Sequence, residues 1–268
     1  MSFLERVLEE KRALLTERKK TMPVGKLLSL TDPNRQKRGF FTSFAHRFTG
    51  PPKIIAEIKR SSPSRGALSV PAGDIAGTLR AYEQGGAEAL SILTEKSHFS
   101  GSLDDLALAR KLTALPVLRK DFIVDAYELY EAAAFGADAV LLIAEALEVK
   151  VIEDLAALAA FLNLDVLLEI HSLRSFERID HVRGVLIGVN SRDLETLTIN
   201  LARSHDVVAA MPKDRPVIVE SGINTRSDID LFHDLGVSGF LIGTSLMTSS
   251  DPARTLRKLI YGKANKDE

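Results

Sequence analysis

From residue 52 onward, short runs of leucine and β-branched residues alternate with longer segments of helical periodicity. Eight runs have the length and composition of buried strands, and in chain order they are KIIAEIK, EALSILT, VLRKD, AVLLIA, DVLLEI, GVLIGVN, PVIVE and GFLIG. The amphipathic segments between them include 74–84, 103–115, 126–135, 147–162 and 226–235. Because a crossover helix returns the chain to the same end of the sheet, neighbouring strands are parallel. The pattern predicts an α/β fold.

An internal repeat favours closure of this sheet into a (β/α)8 TIM barrel. The similar segments GAEALSI, GADAVLLI and GVSGFLI begin at Gly86, Gly136 and Gly236, which are 50 and 100 residues apart. Residues 49–268 allow about 27 residues per βα unit, which is typical of a compact barrel. The alternative is an open doubly wound sheet, which more often has fewer strands and a GxGxxG motif after the first strand. The sequence lacks that motif.

Residues 1–48 precede the repeat and are predicted to form an N-terminal helical extension packed on a single barrel domain of residues 49–268. Ser2 and Glu5 have capping-box spacing, and the leucine pattern predicts a helix to about Lys20, whose charges we interpret as a solvated face. The basic run NRQKRGF is interpreted as a solvated loop rather than a nucleic-acid patch, and FTSFAHRF as a second short helix.

Composition narrows the classes of function. Lys and Arg number 35 against 36 Asp and Glu, so the surface has no positive excess to attract nucleic acid or anionic lipid. The absence of cysteine excludes disulfides, thiolate metal ligands and a thiol nucleophile, and it fits a reducing, cytoplasmic location. The N-terminus lacks the apolar core of a secretory signal, and no apolar run approaches the length of a membrane span. We therefore predict no membrane role.

Polar residues follow several predicted strands. In the first strand Glu57 and Lys59 share the face that points into the barrel, because side chains alternate along a strand. The other strand ends carry Arg119, Lys120, Asp121, Glu169, Asn190, Arg192 and Glu220. Separate buried ion pairs are the alternative explanation, but one ligand site at the carboxyl ends of the strands explains the whole set.

A phosphate site is predicted after strands seven and eight. Ser221, Gly222, Gly243 and Thr244 are small residues at positions where backbone N–H groups can approach an anion, and barrels often bind phosphate between these two loops. Tight turns alone are the alternative. The six histidines show no metal-ligand spacing, so no metal and no organic cofactor are assigned. His171 is assigned to the strand face opposite Glu169 and interpreted as a loop or packing residue.

Seven segments spread over nearly the whole chain resemble those of a known family. They are IAEIKRSSPSRG from Ile55, SILTEKSHFSGS from Ser91, LRKDFIVDAYELYEAAAFGADAVLLI from Leu118, LLEIHS from Leu167, IGVNSRDLETL from Ile187, ESGI from Glu220 and FLIGTSLM from Phe240. The resemblance is to the indole-3-glycerol phosphate synthases, the carboxy-lyases of tryptophan biosynthesis. It implies that 1-(2-carboxyphenylamino)-1-deoxyribulose 5-phosphate closes to an indole with loss of carbon dioxide and water, without a cofactor.

The resemblance also implies roles for individual residues. Lys120 matches the general acid that protonates the substrate ketone, and Glu169 and Lys59 match the base and acid of the dehydration. Glu57 would orient Lys59 or share its proton transfer. The resemblance also implies the substrate contacts: Lys59 binds the carboxylate, and Asn190 and Arg192 bind the sugar. Phosphate is bound by Ser221, Gly222, Gly243 and Thr244, and the aromatic ring is enclosed by Phe99, Phe122, Leu141 and Leu241. The other implied substrate-binding residues are Ser62, Pro63 and Ser64, in a loop that closes the site, and Leu194 and Glu220.

Thr244 departs from the family pattern, because many relatives carry serine there, but it keeps the hydroxyl. Two other functions stay open at this stage. Phosphoribosylanthranilate isomerase is a similar phosphate-binding barrel, but that family relies on a cysteine base, and this chain has none. A barrel that binds a phosphosugar without turnover would not need matched acids and bases. The resemblance leaves open whether the chain associates with other enzymes of tryptophan biosynthesis.

Overall fold

Eight parallel strands form a closed barrel in the computed structural model, which describes residues 2–32, 35–62, 66–67 and 75–262. The strands are β1 (Ile54–Ile58), β2 (Ala89–Leu93), β3 (Val117–Lys120), β4 (Ala139–Ile143), β5 (Asp165–Ile170), β6 (Leu186–Asn190), β7 (Val217–Glu220) and β8 (Gly239–Ile242). Each strand pairs with its neighbours in the sequence, and β1 pairs with β8 to close the barrel. All eight predicted strands and the (β/α)8 TIM barrel are confirmed.

Helices surround the barrel and also precede it. They are α1 (Phe3–Thr21), α2 (Val24–Leu30), α3 (Phe40–Phe44), α4 (Ile75–Gly85), α5 (Leu103–Leu112), α6 (Ala126–Ala134), α7 (Val149–Phe161), α8 (Leu173–Ile179), α9 (Leu201–Ala210), α10 (Arg226–Asp230), α11 (Thr244–Met247) and α12 (Pro252–Tyr261). All five predicted crossover segments contain a helix. The five segments do not cover α8, α9, α11 or α12. Of these, α8 and α11 have only seven and four residues, too few to show a 3.6-residue period, whereas α9 and α12 have ten residues each.

Strand faces separate the core into two layers. Outward residues such as Ile54, Ala56 and Ile58 pack with the surrounding helices, whereas Ile55 packs inside the barrel with Leu118 and other inward residues. The predicted alternation along β1 is therefore correct. No helix among the described residues is long and apolar enough to cross a bilayer.

The N-terminal extension covers both ends of the barrel. Helix α1, which begins with the predicted capping box, packs Leu4 and Leu8 against Phe122, a residue that follows β3. Helix α3 lies at the opposite end, where Phe40 and Phe44 are fully buried beneath the starts of the strands. Helix α2 falls in a segment for which no helix was predicted, and α3 begins one residue before the FTSFAHRF segment.

Most charged residues of α1 are exposed, as the predicted solvated face requires, but Lys11 and Arg18 depart from it. Lys11 is buried, and its ammonium binds Asp121 and lies 2.9 Å from the carboxylate of Glu128. Arg18 of α1 forms an ion pair with Glu131, which lies on α6 together with Glu128. A pattern of alternating charge and leucine cannot show that the facing surface of the barrel is acidic, and here that acidic surface decides the position of the helix.

The basic run after α2 is also not a solvated loop. Arg35 donates to the carbonyl of Asn163 at 3.2 Å, and Arg38 donates to the carbonyls of Leu115 at 3.1 Å and Arg110 at 2.9 Å. These carbonyls lie at or beyond the ends of helices, where they lack intrahelical partners. The division into an extension of residues 1–48 and a barrel of residues 49–268 stays a prediction.

Candidate active site

A cavity opens at the carboxyl ends of the strands and brings the predicted residues together. The predicted residues that line it are Glu57, Lys59, Phe99, Lys120, Phe122, Leu141, Glu169, Asn190, Arg192, Leu194, Glu220, Ser221, Gly222, Leu241, Gly243 and Thr244. Ser62 belongs to a short antiparallel ribbon of residues 61–62 and 66–67, after β1. Pro63 and Ser64 lie outside the described residues.

Lys120 stands at the end of β3 between two buried carboxylates. Its ammonium donates to Glu169 Oε2 on β5 at 3.0 Å and to Glu220 Oε2 on β7 at 2.8 Å. Burial disfavours the charged ammonium, but Glu169, Glu220 and Glu57 together raise the pKa of Lys120 above its ordinary value. Lys120 is therefore a cation at neutral pH and holds a proton that a bound molecule could receive.

The two carboxylates respond differently to this one ammonium. Burial opposes ionisation of Glu169, but Lys120, His171 and a 3.1 Å hydrogen bond from Asn190 outweigh it and lower the pKa of Glu169 to about 2. Burial raises the pKa of Glu220 to about 8, and repulsion from Glu169 adds to that rise against the attraction of Lys120. Glu220 Oε1 has no hydrogen-bond partner. The site thus holds an ionised carboxylate beside one that takes up a proton near neutrality.

Glu57 and Lys59 form a second ion pair on the same wall of the cavity. Lys59 Nζ donates to Glu57 Oε1 at 2.7 Å, as their shared strand face predicts. A Cβ atom at Gly243 would collide with Glu57 Oε1 and lie 3.0 Å from Lys59 Nζ. Glycine at this position, directly after β8, leaves room for both charged groups.

The loops after β7 and β8 provide the small residues of the predicted phosphate site. Ser221 and Gly222 have φ values of 64° and 84°, so two successive residues adopt the left-handed region directly after Glu220. A non-glycine residue seldom adopts that conformation, and such residues concentrate at functional sites. Gly243 and Thr244 line the cavity from the neighbouring loop.

Aromatic residues cover another wall of the cavity. Phe99 and Phe122 have ring centroids 6.2 Å apart, and Phe3 of α1 packs edge-on against Phe122 at 6.4 Å. Sequence reasoning missed Phe3, because nothing in the helical pattern indicates that the start of α1 lies beside the strand ends. The cavity therefore offers an apolar wall, two ammonium groups and a cradle of small residues.

Two strand-end residues do not project into the site as predicted. Arg119 is fully buried on the outer side of β3, where it donates to Thr94 Oγ1 at 3.1 Å and to the carbonyl of Glu128 at 2.7 Å. Asp121 touches the cavity, but its carboxylate accepts hydrogen bonds from Lys11, Thr94, Arg119 and its neighbour Phe122. The prediction that a single ligand site explains every polar strand end is wrong for this pair, since alternation turns them toward the helices.

His171 is placed differently from the prediction. Residues two apart in a strand share a face, so His171 lies on the side of Glu169, and its Nε2 is 3.5 Å from Glu169 Oε1. Its Nδ1 lies 3.1 Å from Glu145 Oε2, in the loop after β4. Strand parity could have identified His171, whereas Glu145 carried no sequence signal. Among the described residues, no group of three or more His, Cys, Asp or Glu side chains could hold a metal ion.

Comparison with known sequences gives a consistent result. The family model described as indole-3-glycerol phosphate synthase matches residues 4–259. A protein of that name from Burkholderia multivorans is 40% identical over 263 residues, covering 97% of this chain and 99% of the relative. Another of that name from Legionella pneumophila is 40% identical over 259 residues, covering 97% and 98%.

Solved structures share the fold at low sequence identity. A 3-hexulose-6-phosphate synthase has a TM-score of 0.62 at 15% identity, covering 79% of this chain and 100% of that one. The thiamine phosphate pyrophosphorylase of Pyrococcus furiosus has a TM-score of 0.57 at 18% identity, covering 77% and 93%. At this identity the likeness concerns the barrel alone.

Proposed function

The chain belongs to the indole-3-glycerol phosphate synthase family, carboxy-lyases of tryptophan biosynthesis, and we propose how its own residues convert 1-(2-carboxyphenylamino)-1-deoxyribulose 5-phosphate to indole-3-glycerol phosphate. The observation that carries the assignment of roles is the Lys120 ammonium, held by Glu169 and Glu220 at one end of a cavity that also contains an apolar wall and two small-residue loops. The substrate has a phosphate and a carboxylate separated by a sugar and an aromatic ring, and such a molecule needs both kinds of surface.

Ring closure needs an acid. As the aromatic carbon that carries the carboxylate attacks the ketone carbon, the ketone oxygen takes a proton from Lys120 and becomes a hydroxyl group. The Lys120 side chain is only 13% exposed, and this enclosure strengthens its attraction to the developing negative charge on that oxygen, because little water competes there. Glu169 and Glu220 keep the lysine charged until the substrate arrives.

The next two steps restore aromaticity. The carboxylate leaves as carbon dioxide, and its bonding electrons return to the ring. Dehydration then removes one proton from the ring CH2 carbon beside the nitrogen, which we assign to Glu169 as the base, while the hydroxyl leaves as water with a proton from Lys59 and the C=C bond of the indole forms. The low pKa of Glu169 supports its role as the ionised base, and the Lys59 ammonium is oriented by Glu57.

Substrate binding is assigned to three parts of the cavity. We assign phosphate to Ser221, Gly222, Gly243 and Thr244, because these small residues line the cavity from the two loops after β7 and β8, where barrels often bind phosphate. The aromatic ring is assigned to Phe99, Phe122, Leu141 and Leu241. Asn190 and Arg192 are assigned to the sugar, Lys59 to the carboxylate, and Leu194 and Glu220 to the remaining substrate contacts. The closing role of Ser62, Pro63 and Ser64 stays a prediction.

Cellular context is proposed at a coarser level. The substrate is a small phosphosugar joined to anthranilate, and we place the reaction in the cytoplasm. Association with other enzymes of tryptophan biosynthesis stays a prediction.

A direct assay tests this function. The purified chain is mixed with 1-(2-carboxyphenylamino)-1-deoxyribulose 5-phosphate in the presence of EDTA, and indole fluorescence is followed, with the product confirmed by mass. We expect loss of carbon dioxide and water from each molecule of substrate. A parallel reaction with Lys150→Ala, which alters only the exposed ion pairs with Glu153 and Asp154 on α7, should match the unaltered chain.

Two results would contradict the assignment. Saturable binding without product would favour the non-catalytic phosphosugar-binding barrel. Isomerisation of phosphoribosylanthranilate without indole formation would favour the isomerase instead.

A further inference from the structure

The buried His171 pairs with the partly exposed Glu145 beside the candidate base, and the reaction scheme above does not use this pair. The carboxylate of Glu145 accepts two hydrogen bonds from the same residue, one from the His171 backbone N–H at 2.9 Å and one at Nδ1 at 3.1 Å. These two contacts fix both the main chain and the ring. The other ring nitrogen, Nε2, is buried without a hydrogen-bond partner and lies 3.5 Å from Glu169 Oε1.

Glu169 is consequently flanked by a different cation at each oxygen. Lys120 donates to Oε2 at 3.0 Å, and His171 lies beside Oε1, where Asn190 also donates at 3.1 Å. The scheme requires Lys120 to turn toward the substrate ketone, and that movement removes one cation from Glu169. A buried carboxylate that loses its only cation takes up a proton, and a protonated Glu169 cannot serve as a base.

We propose that Glu145 holds His171 as an imidazolium whose Nε2–H stays beside Glu169 Oε1, so that Glu169 remains ionised while Lys120 engages the substrate. This inference rests on the proposed function and assigns His171 as a positioning residue, with Glu145 acting through it. The two cations then have separate roles. Lys120 gives its proton to the substrate, and His171 stays beside Glu169 and keeps that carboxylate ionised.

The charges around the imidazole support this assignment. They are Glu145 after β4, Glu169 on β5, Glu220 on β7 and Lys120 on β3, the last lying beyond Glu169. From α8, Arg178 donates to the carbonyls of Ala144 and Leu147 on either side of Glu145, and Ser175 contacts the Glu145 carboxylate. Burial opposes the charge on the ring, but the bond to Glu145 and the nearby carboxylates raise the pKa of His171 above its ordinary value.

The first test follows the histidine itself in the full-length chain by NMR titration, with His171→Gln used to assign its signal among the six histidines. We expect His171 to titrate above pH 6.5, and to titrate lower in both Glu145→Gln and Glu169→Gln. In Lys120→Ala, which imitates the departure of the lysine, the His171 pKa should rise further. Titration at or below 6.5 that ignores Glu145 and Glu169 would overturn the proposal.

The second test measures turnover against pH. His171→Gln keeps a polar side chain of similar reach but no charge, so the acidic limb of kcat should move up by about one pH unit, with little change in KM. Glu145→Gln should move the limb part of the way, and the double variant should match His171→Gln alone, because both residues act through one ring. If His171→Gln folds poorly, the shift in Glu145→Gln still decides the question.

The matched control is His181→Gln. His181 lies on the outer surface, where its Nε2 is 2.9 Å from Glu153 Oε1 in an exposed pair. It should leave the acidic limb in place. An unmoved limb in both His171→Gln and Glu145→Gln would overturn the inference while leaving the synthase assignment intact. Failure of the unaltered chain to form the indole would instead refute the proposed function, and the NMR titration does not depend on that outcome.

Discussion

Two buried carboxylates, Asp121 and Glu220, lie near the end of β3, and their pKa values are shifted in opposite directions. Asp121, on the outer side, receives two hydrogen bonds at each oxygen, from Lys11 and Phe122 at one and from Thr94 and Arg119 at the other. Burial disfavours its charge, but these partners hold the pKa of Asp121 well below its usual range. Glu220, on the inner side, shares a single ammonium with Glu169, and its pKa is raised to about 8.

The difference separates a structural cluster from a reactive one. We call Lys11, Arg119, Asp121, Glu128 and Glu131 the outer cluster, and Lys120, Glu169 and Glu220 the mouth cluster. The outer cluster joins α1 and α6 to β3, and together with Arg18 it sets three cations against three carboxylates. Glu128 Oε1 has no hydrogen-bond partner, but it lies 2.9 Å from the Lys11 ammonium. The mouth cluster leaves Glu220 Oε1 without a partner, and it opens onto the cavity. We infer that the outer cluster stabilises the fold, whereas the mouth cluster provides reactive groups and lowers the stability of the fold.

Lys120→Ala should have the largest effect on the mouth cluster. Without the acid, kcat for indole formation should fall by about 10³-fold, since the lysine acts mainly on the transition state. Substrate binding, measured by calorimetry, should persist, because phosphate and the aromatic ring are held elsewhere. A kcat within a few-fold of the unaltered chain would remove Lys120 from the scheme.

Arg119→Met should have the largest effect on the outer cluster. The side chain is fully buried, and its removal leaves Asp121 and Glu131 without one of their cations. The free energy of unfolding, from urea titration at pH 7, should fall by about 3–5 kcal/mol. Lys150→Ala, at an exposed pair, should change it by less than about 0.5 kcal/mol. A change equally small in Arg119→Met would contradict the division into two clusters.

Glu169→Gln tests the mouth cluster at a later step. The amide keeps the shape and can still accept from Lys120, but it cannot take a proton. Turnover should slow by about 10²-fold, with a decarboxylated, hydroxylated intermediate accumulating in rapid-quench samples. If the variant lost no rate and accumulated no intermediate, another group would be the base.

Glu220→Gln should have the smallest effect. It should raise the free energy of unfolding, whereas Arg119→Met should lower it. Since the folded pKa lies above the unfolded value, the native state retains a proton that the unfolded state releases between about pH 4.5 and 8. Stability therefore falls as pH rises through that window. The variant should match the unaltered chain at pH 5 and exceed it by about 1 kcal/mol at pH 9, as measured by urea unfolding. No gain at pH 9 would show that Glu220 carries no burial penalty.

Local pattern was enough for much of the fold and part of the site. Strands were visible because a buried parallel strand needs a short, nearly continuous apolar run, and the repeat indicated how many there are. Alternation placed Glu57 and Lys59 on the inner face of β1. The strand-end residues and the family resemblance together account for the sixteen predicted residues that line one cavity. The short helices and the hydrogen-bond partners of the basic run were not predicted, because they depend on contacts with residues elsewhere in the chain.

The sequence by itself determined the barrel, the end at which its polar residues gather and the family to which they point, since all three depend on order and spacing along the chain. Only the tertiary structure decided which charges meet. Lys11 and Asp121 are 110 residues apart in sequence, and Lys120 and Glu220 are 100 apart. Whether a carboxylate there is ionised depends on burial and on the number of donors it receives, and both exist only once the barrel has closed.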